Sequence, residues 1–426
     1  MKDNLKVLVV GGGGREHSLI RKLKQSPLVD KLYAAPGNGG ISCDAKCVDI
    51  KATDIQGITQ FAVDNSLDFV VVAPDDPLVL GMVDALEHKG IKTFGPNKAA
   101  AIIEGSKIFS KDLMKKYNIP TAEYHVFDDY NSAKEYITNT KKFPVVIKAD
   151  GLALGKGVII AENKTAALSA LEDIMVNKAF GDSGNKIVIE EFLQGTEVSI
   201  LAFTDGVTIK PMISSIDHKR ALDGDEGLNT GGMGTVAPHP LFTREIENIC
   251  METIFIPTIK AMEKENRKFK GCLFFGLMIT DDGVKVIEYN CRFGDPEAQV
   301  VLPLLKTDLM EIFLAVYDEK LDEIEIEWHN KCAACVILAS GGYPGKYKTG
   351  LPISGLENNG QVGGFEIYHA GTKKEDDKFY TAGGRVLGIT AMGENINQTI
   401  QSAYNGIEKI KFDNLHYRKD IGKRII

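Results

Sequence analysis

Apolar residues in the first hundred positions follow two alternating rhythms. KVLVV (6–10), KLYAAP (31–36), DFVVVAP (68–74) and IKTFGP (91–96) are short, nearly continuous apolar runs, as buried strands are. Between them, REHSLIRKLKQ (15–25), DIQGITQFAV (54–63) and PLVLGMVDALEHKG (77–90) space their apolar residues as helices do, with Pro77 at a helix start. Strands alternating with helices of this length imply a parallel sheet with right-handed crossovers. The pattern predicts a Rossmann-like domain over residues 1–103.

The rhythm then changes. NKAAAIIEG (97–105) and SKIFSKDLMKKYN (106–118) read as two helices, closed by IPTAEY. Residues 122–192 read as a small α+β unit of strand, helix, a Lys/Gly hairpin, helix and the strand KIVIEEFL. A larger antiparallel set follows: EVSILAFTDGVTIKPMISSI, a helix over 243–266, and the pair GCLFFGLMITDDGVKVIEYN. Acidic DEKLDEIEIEWHN (318–330) reads as a connection to a strand-rich remainder with one closing helix. The expected division is 1–103, 104–327 with a smaller subdomain at about 122–192, and 328–426. The fold class is mixed: α/β first, then α+β, then mostly strand. One stretch has no clear period. DHKRALDGDEGLNTGGMGT (217–235) is long, polar and glycine-rich, and long irregular segments inside compact domains usually carry function.

Composition narrows the possibilities. A chain of 426 residues with 44% hydrophobic and 25% charged residues matches a soluble multidomain protein. The net charge of −8 argues against a nucleic-acid partner but leaves room for small phosphorylated ligands. No apolar run approaches the roughly 18 residues of a membrane span, and the start, MKDNLKVLVVGGGG, lacks a signal-peptide layout. Seven scattered cysteines fit reduced thiols in the cytoplasm. Cys332 and Cys335 form a CxxC, but they open an apolar strand pattern, and Cys43 with Cys47 is the only other close pair.

Two glycine-rich stretches carry candidate chemistry. GGGGREH follows a strand and opens a helix, the place for a dinucleotide fingerprint. Counting GxGxxG from Gly11 puts Glu16 at the third glycine, and counting from Gly12 puts His17 there. What remains is a turn whose N–H groups could hold one phosphate or carboxylate, or a tight turn with no ligand. VVIKADGLALGKGVII (145–160) is not a P-loop: Gly151 to Gly155 is one residue short, Gly157 follows Lys156, and a strand continues. A glycine loop joining two strands suits a flap over phosphates, with Lys148 reaching them as a point charge; a plain surface hairpin is the alternative.

Other residues keep this loop company. In IVIEEFLQGTE, Glu190 and Leu193 end a strand and Glu197 follows, suiting an adenine edge and ribose hydroxyls, or else a solvent-facing turn. In VIEYN, Glu288 and Asn290 share one strand face. Such sparse hard oxygen donors suit Mg²⁺, although two polar residues there could equally be a wet sheet face. Arg292 follows on that face, before RFGDPE turns into a helix. GDSG (181–184) lacks partners for a protease triad, and DGDEG (223–227) lacks EF-hand spacing.

Taken in order, GGGGREH, PGNGG, EGSK, PTAEY, VIKADGLALGKGV, EEFLQGTE, SIDHKR, NTGGMG, VIEYNCRFGDPE, SGGYPG and HAGT resemble the glycinamide ribonucleotide synthetases (phosphoribosylamine–glycine ligases) of the ATP-grasp superfamily, over essentially the whole length. The resemblance implies an ATP-grasp core with residues 122–192 as lid, and a single-function form. It implies that Lys107 and Lys148 contact ATP phosphates under the hairpin of Gly151, Gly155, Lys156 and Gly157. Glu190, Leu193 and Glu197 would hold adenine and ribose, and Glu288 with Asn290 would carry Mg²⁺ or Mn²⁺. The strand CLFFGLMIT offers no further acid, so a second metal would rely on shared ligands and phosphate.

The implied reaction joins glycine to 5-phosphoribosylamine through glycyl phosphate. Arg292, Lys148 and Asp295 are the expected catalytic groups. Asp217, Lys219 and Arg220 are expected at the substrates, together with Arg292 and Asp295. The 5-phosphate would suit Gly11, Gly12, Gly13 and Gly14 with Gly37, Asn38 and Gly39. No nucleic acid, membrane or obligate protein partner is implied. The rivals are another ATP-grasp carboxylate–amine ligase and, from the GGGG turn, a nicotinamide oxidoreductase.

Overall fold

A computed structural model describes residues 4–152 and 157–423. Its first hundred residues form a five-stranded parallel sheet, in the order Lys46–Cys47, Val29–Pro36, Leu5–Gly11, Phe69–Val72, Lys92–Phe94. Val7 to Val10 and Phe69 to Val72 are all buried, because helices cover both faces and leave no polar side to alternate with. The strand order reverses between Leu5–Gly11 and Phe69–Val72. The glycine turn leaves the first of these strands, so it opens at the crevice where open α/β sheets bind ligands. The helix expected over 77–90 is two, Asp75–Leu80 and Met82–Glu87, parted by Gly81 in the left-handed region (φ +97). Only glycine takes that conformation without strain, so it ends one helix and restarts another.

Residues 122–192 form an antiparallel sheet ordered Tyr124–Phe127, Ile187–Glu191, Val145–Ala149, Val158–Ala161. Helices Tyr130–Asn139 and Lys164–Leu171 lie against it, and the unit has a hydrophobic core of its own around Ile137, Ile147, Leu171 and Ile187. A second antiparallel sheet, ordered Ile209–Pro211, Thr196–Thr204, Gly271–Thr280, Gly283–Asn290, faces the rest of the molecule. The helix expected over 243–266 contains a wide π turn, Met251–Phe255, between Arg244–Cys250 and Ile256–Lys264.

The third sheet crosses the expected division at residue 328. Gly234–Ala237 pairs with Cys332–Ser340 and brings Ile216–Asp217 with it, so the sheet reads Ile216–Asp217, Gly234–Ala237, Cys332–Ser340, Arg385–Gly393, Glu366–His369. The segment 217–235 is therefore more ordered than its composition predicts. It contains a hairpin, Arg220–Leu222 against Glu226–Asn229, turning at Gly224 (φ +71) and Asp225 (φ +55). Its strands show no period because most of the hairpin is solvent-facing on both sides. Among the described residues no helix is long and apolar enough to cross a membrane.

Candidate active site

The three antiparallel sheets surround one cleft of about 1260 Å³. On one side Val145–Ala149 and Ile187–Glu191 are paired strands, and each sends a charged side chain into it. Lys148 Nζ lies 2.9 Å from Glu190 Oε1, an ion pair rather than an aligned hydrogen bond, and Lys111 Nζ lies 2.9 Å from Glu190 Oε2. All three are buried. Lys148 also donates to the Ile287 carbonyl (3.1 Å), and Lys111 to Thr121 Oγ1 (2.8 Å). Two ammoniums on one carboxylate leave a net positive charge away from water, the state an anionic ligand stabilises. Burial lowers the Lys111 ammonium to about 8, despite Glu190 holding it up.

Lys111 is absent from the residues expected at the site. The signal for it is helical spacing: it stands four residues after Lys107 on Lys107–Lys116, hence on one face. Lys107 Nζ donates to the Gly151 carbonyl (2.7 Å), tying helix to hairpin. At the same joint Asp150 accepts from Ser106 Oγ (3.1 Å) and the Ile108 amide (3.1 Å). Gly151 has φ +116, and a Cβ there would crowd Ser183 Oγ at 2.8 Å, so glycine is required at the hairpin's entry. Gly157 closes it, its carbonyl accepting from Ala149 N (2.9 Å); Gly155 and Lys156 lie outside the described residues. Leu193 lines the cleft on the linker after Ile187–Glu191. Its backbone amide and carbonyl have no hydrogen-bond partner among the described residues.

Opposite, the register of Gly283–Asn290 slips against its neighbour between Gly276 and Leu277. This bulge sits just before Glu288, where a bulge re-aims side chains. Glu288 and Asn290 both line the cleft. Burial works to raise the Glu288 carboxyl, but Lys219, Lys148, Lys107 and Arg292 outweigh it and hold the group below its ordinary value. The Lys219 ammonium lies 3.5 Å from Glu288 Oε1 and 3.3 Å from Glu197 Oε2. It thus joins the expected ribose carboxylate to the expected metal carboxylate.

Arg292 lines the cleft beyond the strand end, its Nη2 2.9 Å from Glu104 Oε1 and 3.9 Å from Asp75 Oδ2. Its Nε is buried with no hydrogen-bond partner among the described residues. Glu104 also accepts from the Cys291 amide (2.7 Å). Neither Glu104 nor Asp75 is among the residues expected at the site; Asp75 opens the helix Asp75–Leu80 of the N-terminal part, and Glu104, the first residue of the EGSK block, stands at the start of the middle part. Asp295 meets Arg385 (3.2 Å) and accepts from Gln299 Nε2 (2.8 Å). Arg385 donates in addition to the carbonyls of Asp295 and Gly231, each at 2.7 Å. Asp217 Oδ1 is buried without a hydrogen-bond partner among the described residues. Burial, with Glu297 close by, pushes the Asp217 carboxyl well above its usual range. Arg220 donates to the Gly227 carbonyl (2.8 Å) and so braces its own hairpin.

The glycine stretches sit at the edge of this arrangement. Gly11, Gly12, Gly13, Gly14, Gly37, Asn38 and Gly39 are not among the cleft-lining residues, whereas the adjoining Arg15 is. Several of their polar groups are already engaged. The Gly13 amide donates to Glu16 Oε2 (2.6 Å), Gly37 N to the Gly11 carbonyl (3.1 Å) and Gly39 N to the Thr372 carbonyl (3.0 Å). Asn38 Nδ2 donates to the Gly12 and His369 carbonyls (2.9 and 2.8 Å). Close packing asks for the glycines: a Cβ on Gly12 would run into the Gly37 carbonyl, and one on Gly14 would meet Gln299 Nε2 at 2.5 Å. Arg15 Nη1 donates to the Phe293 carbonyl (3.2 Å), leaving its guanidinium in the cleft near Asp295.

Comparison with known proteins agrees along the whole chain. Models of the phosphoribosylglycinamide synthetase family match in three parts: the N domain at residues 5–104, the ATP-grasp (A) domain at 105–298 and the C domain at 333–424. The phosphoribosylamine–glycine ligase of Caldanaerobacter subterraneus subsp. tengcongensis is 49% identical over 417 residues, covering 98% of this chain and 99% of that one. That of Clostridium acetobutylicum is 47% identical over 419 residues, covering 98% and 100%. The crystal structure of the Thermotoga maritima phosphoribosylamine–glycine ligase superposes with a TM-score of 0.85 at 31% identity, covering 98% and 100%. A biotin carboxylase domain of Hydrogenobacter thermophilus, solved with MgADP, ADP and bicarbonate, shares the fold at a TM-score of 0.73 and 16% identity, covering 97% and 92%. With an ATP-grasp cleft framed by three matched domains, the chain belongs to the phosphoribosylglycinamide synthetase family.

Proposed function

We propose that the protein couples conversion of ATP to ADP and phosphate to the joining of glycine and 5-phosphoribosylamine, giving glycinamide ribonucleotide in purine biosynthesis. The observation that carries this reading is the convergence of Lys107, Lys111, Lys148, Lys219 and Arg292 on Glu190 and Glu288 in one cleft, in a chain of this family. The three parts, 1–103, 104–327 and 328–426, divide the work: the middle part takes the nucleotide, and all three enclose the substrates.

In this reading adenine lies along the Leu193 linker, with its edge on the backbone groups there, and Glu197 takes the ribose. Lys107 and Lys148 meet the phosphates, Lys111 and Glu190 fix Lys148, and the hairpin from Gly151 to Gly157, with Gly155 and Lys156, closes above them. Glu288 and Asn290 fit a hard divalent cation, Mg²⁺ or Mn²⁺. They are oxygen donors on one strand face, the carboxylate is kept ionised by its neighbours, and an ammonium already lies 3.5 Å from it. Such a cation, when bound, would neutralise phosphate charge and orient the γ-phosphate.

The chemistry asks the chain for positioning and charge, with no side-chain nucleophile. A glycine carboxylate oxygen attacks the γ-phosphorus, the bond to the bridging oxygen breaks, and ADP leaves glycyl phosphate behind. The amine of phosphoribosylamine then attacks the acyl carbon; the C–N bond forms, the C–O bond to phosphate breaks, and nitrogen gives up a proton. Arg292, with a free Nε–H, and Lys148 stabilise charge on the phosphoryl oxygens. Lys219, Arg220, Asp217 and Asp295 contact the substrates. The 5-phosphate lies at the mouth of the glycine turns, Gly11 to Gly14 and Gly37 to Gly39, where Arg15 enters the cleft.

The test is ADP release from Mg-ATP with glycine and phosphoribosylamine, separately and together. Release that requires both, with a new amide, is the expected result. Release with other carboxylates in place of glycine, or none with any combination, would reject these substrates.

A further inference from the structure

The hairpin Arg220–Leu222/Glu226–Asn229 is the least self-supporting wall of the cleft. Among the described residues its strands pair only with each other, and Leu222 and Leu228 are exposed. Two-stranded hairpins are marginal in water on their own. Yet this hairpin directly follows Lys219, whose ammonium reaches Glu197 and Glu288, and it contributes Arg220, Asp225 and Asn229 to the cleft.

What holds it is a segment from the far end of the chain. Lys419 N donates to Asp223 Oδ1 (2.7 Å), Gly224 N donates to Asp420 Oδ2 (2.8 Å), and His416 Nε2 donates to the Ala221 carbonyl (2.7 Å). Gly422 N donates to His218 Nε2 (3.1 Å), whose Nδ1 in turn donates to the Gly234 carbonyl (3.1 Å). At the centre is Arg418, whose side chain is wholly buried. Its guanidinium grips Asp420 at two points (2.8 Å each), pairs with Asp225 (2.6 Å) and donates to the Arg220 carbonyl (3.1 Å). The segment is itself fastened to the C-terminal core, because Tyr404 Oη donates to the Arg418 carbonyl (2.9 Å) and accepts from Ile421 N (3.0 Å).

A buried guanidinium is costly unless its donors are matched, and a planar fork matches several acceptors in one fixed arrangement where an ammonium does not. We infer that Arg418 and Asp420 are positioning residues for the ligation, clasping the 220–229 hairpin so that Lys219 and Arg220 face the substrate half of the cleft. This rests on the proposed reaction.

The full-length Arg418→Lys and Asp225→Asn variants test it. Arg418→Lys keeps the charge and loses the fork. Asp225→Asn removes the hairpin charge that Arg418 pairs with, at a site one-third exposed, and it leaves the Arg418–Asp420 pair in place. Three readouts are compared with the wild type: amide hydrogen exchange over 219–229, ATP affinity, and kcat/KM for phosphoribosylamine. A charged hydrogen bond of this kind is worth about tenfold. Arg418→Lys is therefore expected to speed hairpin exchange and lower kcat/KM by at least about tenfold, mainly through KM, with ATP affinity falling several-fold less, since the nucleotide side meets the clasped segment only through Lys219. Asp225→Asn should move the same way by less. Unaltered exchange and kcat/KM in both variants would overturn the inference, and so would ATP affinity falling in step with kcat/KM. If the wild type makes no ADP from these substrates, the proposed reaction has failed, and hairpin exchange alone decides whether the clasp exists.

Discussion

Lys148 and Glu190 stand on two paired strands, and Lys111 comes from the helix just before them. Across the cleft, Asp295 meets Arg385 from a strand ninety residues on, Arg15 enters from the first helix, and the 220–229 hairpin is held by Arg418. The half assigned to the nucleotide is thus made from neighbouring elements of one compact part. The half assigned to the substrates is an assembly of segments that only the complete fold brings together. Damage to a single charge should act locally in the first half, and through displacement of whole segments in the second.

The largest expected effect comes from the first half. Glu288→Ala or Lys148→Ala should lower turnover by about a hundredfold or more, the size of losing one preorganised electrostatic contact to the reacting group. Circular dichroism and the melting temperature should stay near the wild type for Glu288→Ala, because Glu288 faces the cleft. A rate within a few-fold of wild type in either variant would take that residue out of the site.

The same contrast governs how much of each half is legible in the amino-acid sequence. Glu288 and Asn290 are legible because strand alternation puts i and i+2 on one face, and Lys148 because it stands on the strand before a glycine hairpin, although a plain surface hairpin has the same pattern. Lys111 is legible too, one helical turn beyond Lys107, but its chemistry shows only once Glu190 lies between it and Lys148. Arg385, in the strand Arg385–Gly393, carries no local sign of its role. Its partner Asp295 and the Gly231 carbonyl are distant in sequence, so only the tertiary fold defines it. The glycine turns show the opposite limit. Their tight geometry is readable from GGGG and PGNGG, but not that Glu16, the Gly11 carbonyl and the Thr372 carbonyl engage the Gly13, Gly37 and Gly39 amides. The hairpin inside 217–235 is hidden for a related reason, since its support comes from the chain's last residues rather than from its own pattern.

A smaller effect should follow from opening the second half. Asp295→Asn keeps the shape and the Gln299 contact but removes the charge facing Arg385. It should lower kcat/KM for phosphoribosylamine by about tenfold, as expected for one charge-assisted hydrogen bond. ATP affinity should hold within about twofold, because no nucleotide-side residue touches this pair. Equal losses for ATP and phosphoribosylamine, read by isothermal titration and initial rates, would show that the halves are not separable.

The smallest effect is a pH dependence set by Lys111. Burial brings its ammonium down to about 8, below the ordinary lysine value, so the folded protein releases this proton more readily than the unfolded chain. The unfolded chain therefore binds more protons between about pH 8 and 10.5, and this one group makes stability rise with pH across that window. Below it the charged, desolvated lysine carries its full cost. Ligand binding runs the other way: as Lys111 loses its proton above pH 8, Glu190 keeps only Lys148, and the positive charge awaiting the phosphates falls. ATP affinity should weaken a few-fold between pH 7 and 9, a modest change because Lys111 meets Glu190 rather than the phosphates themselves. In Lys111→Met the step near pH 8 should vanish, leaving weaker binding at pH 7. An identical slope in wild type and variant would place the titrating group elsewhere and leave Lys111 as a support for Glu190 alone.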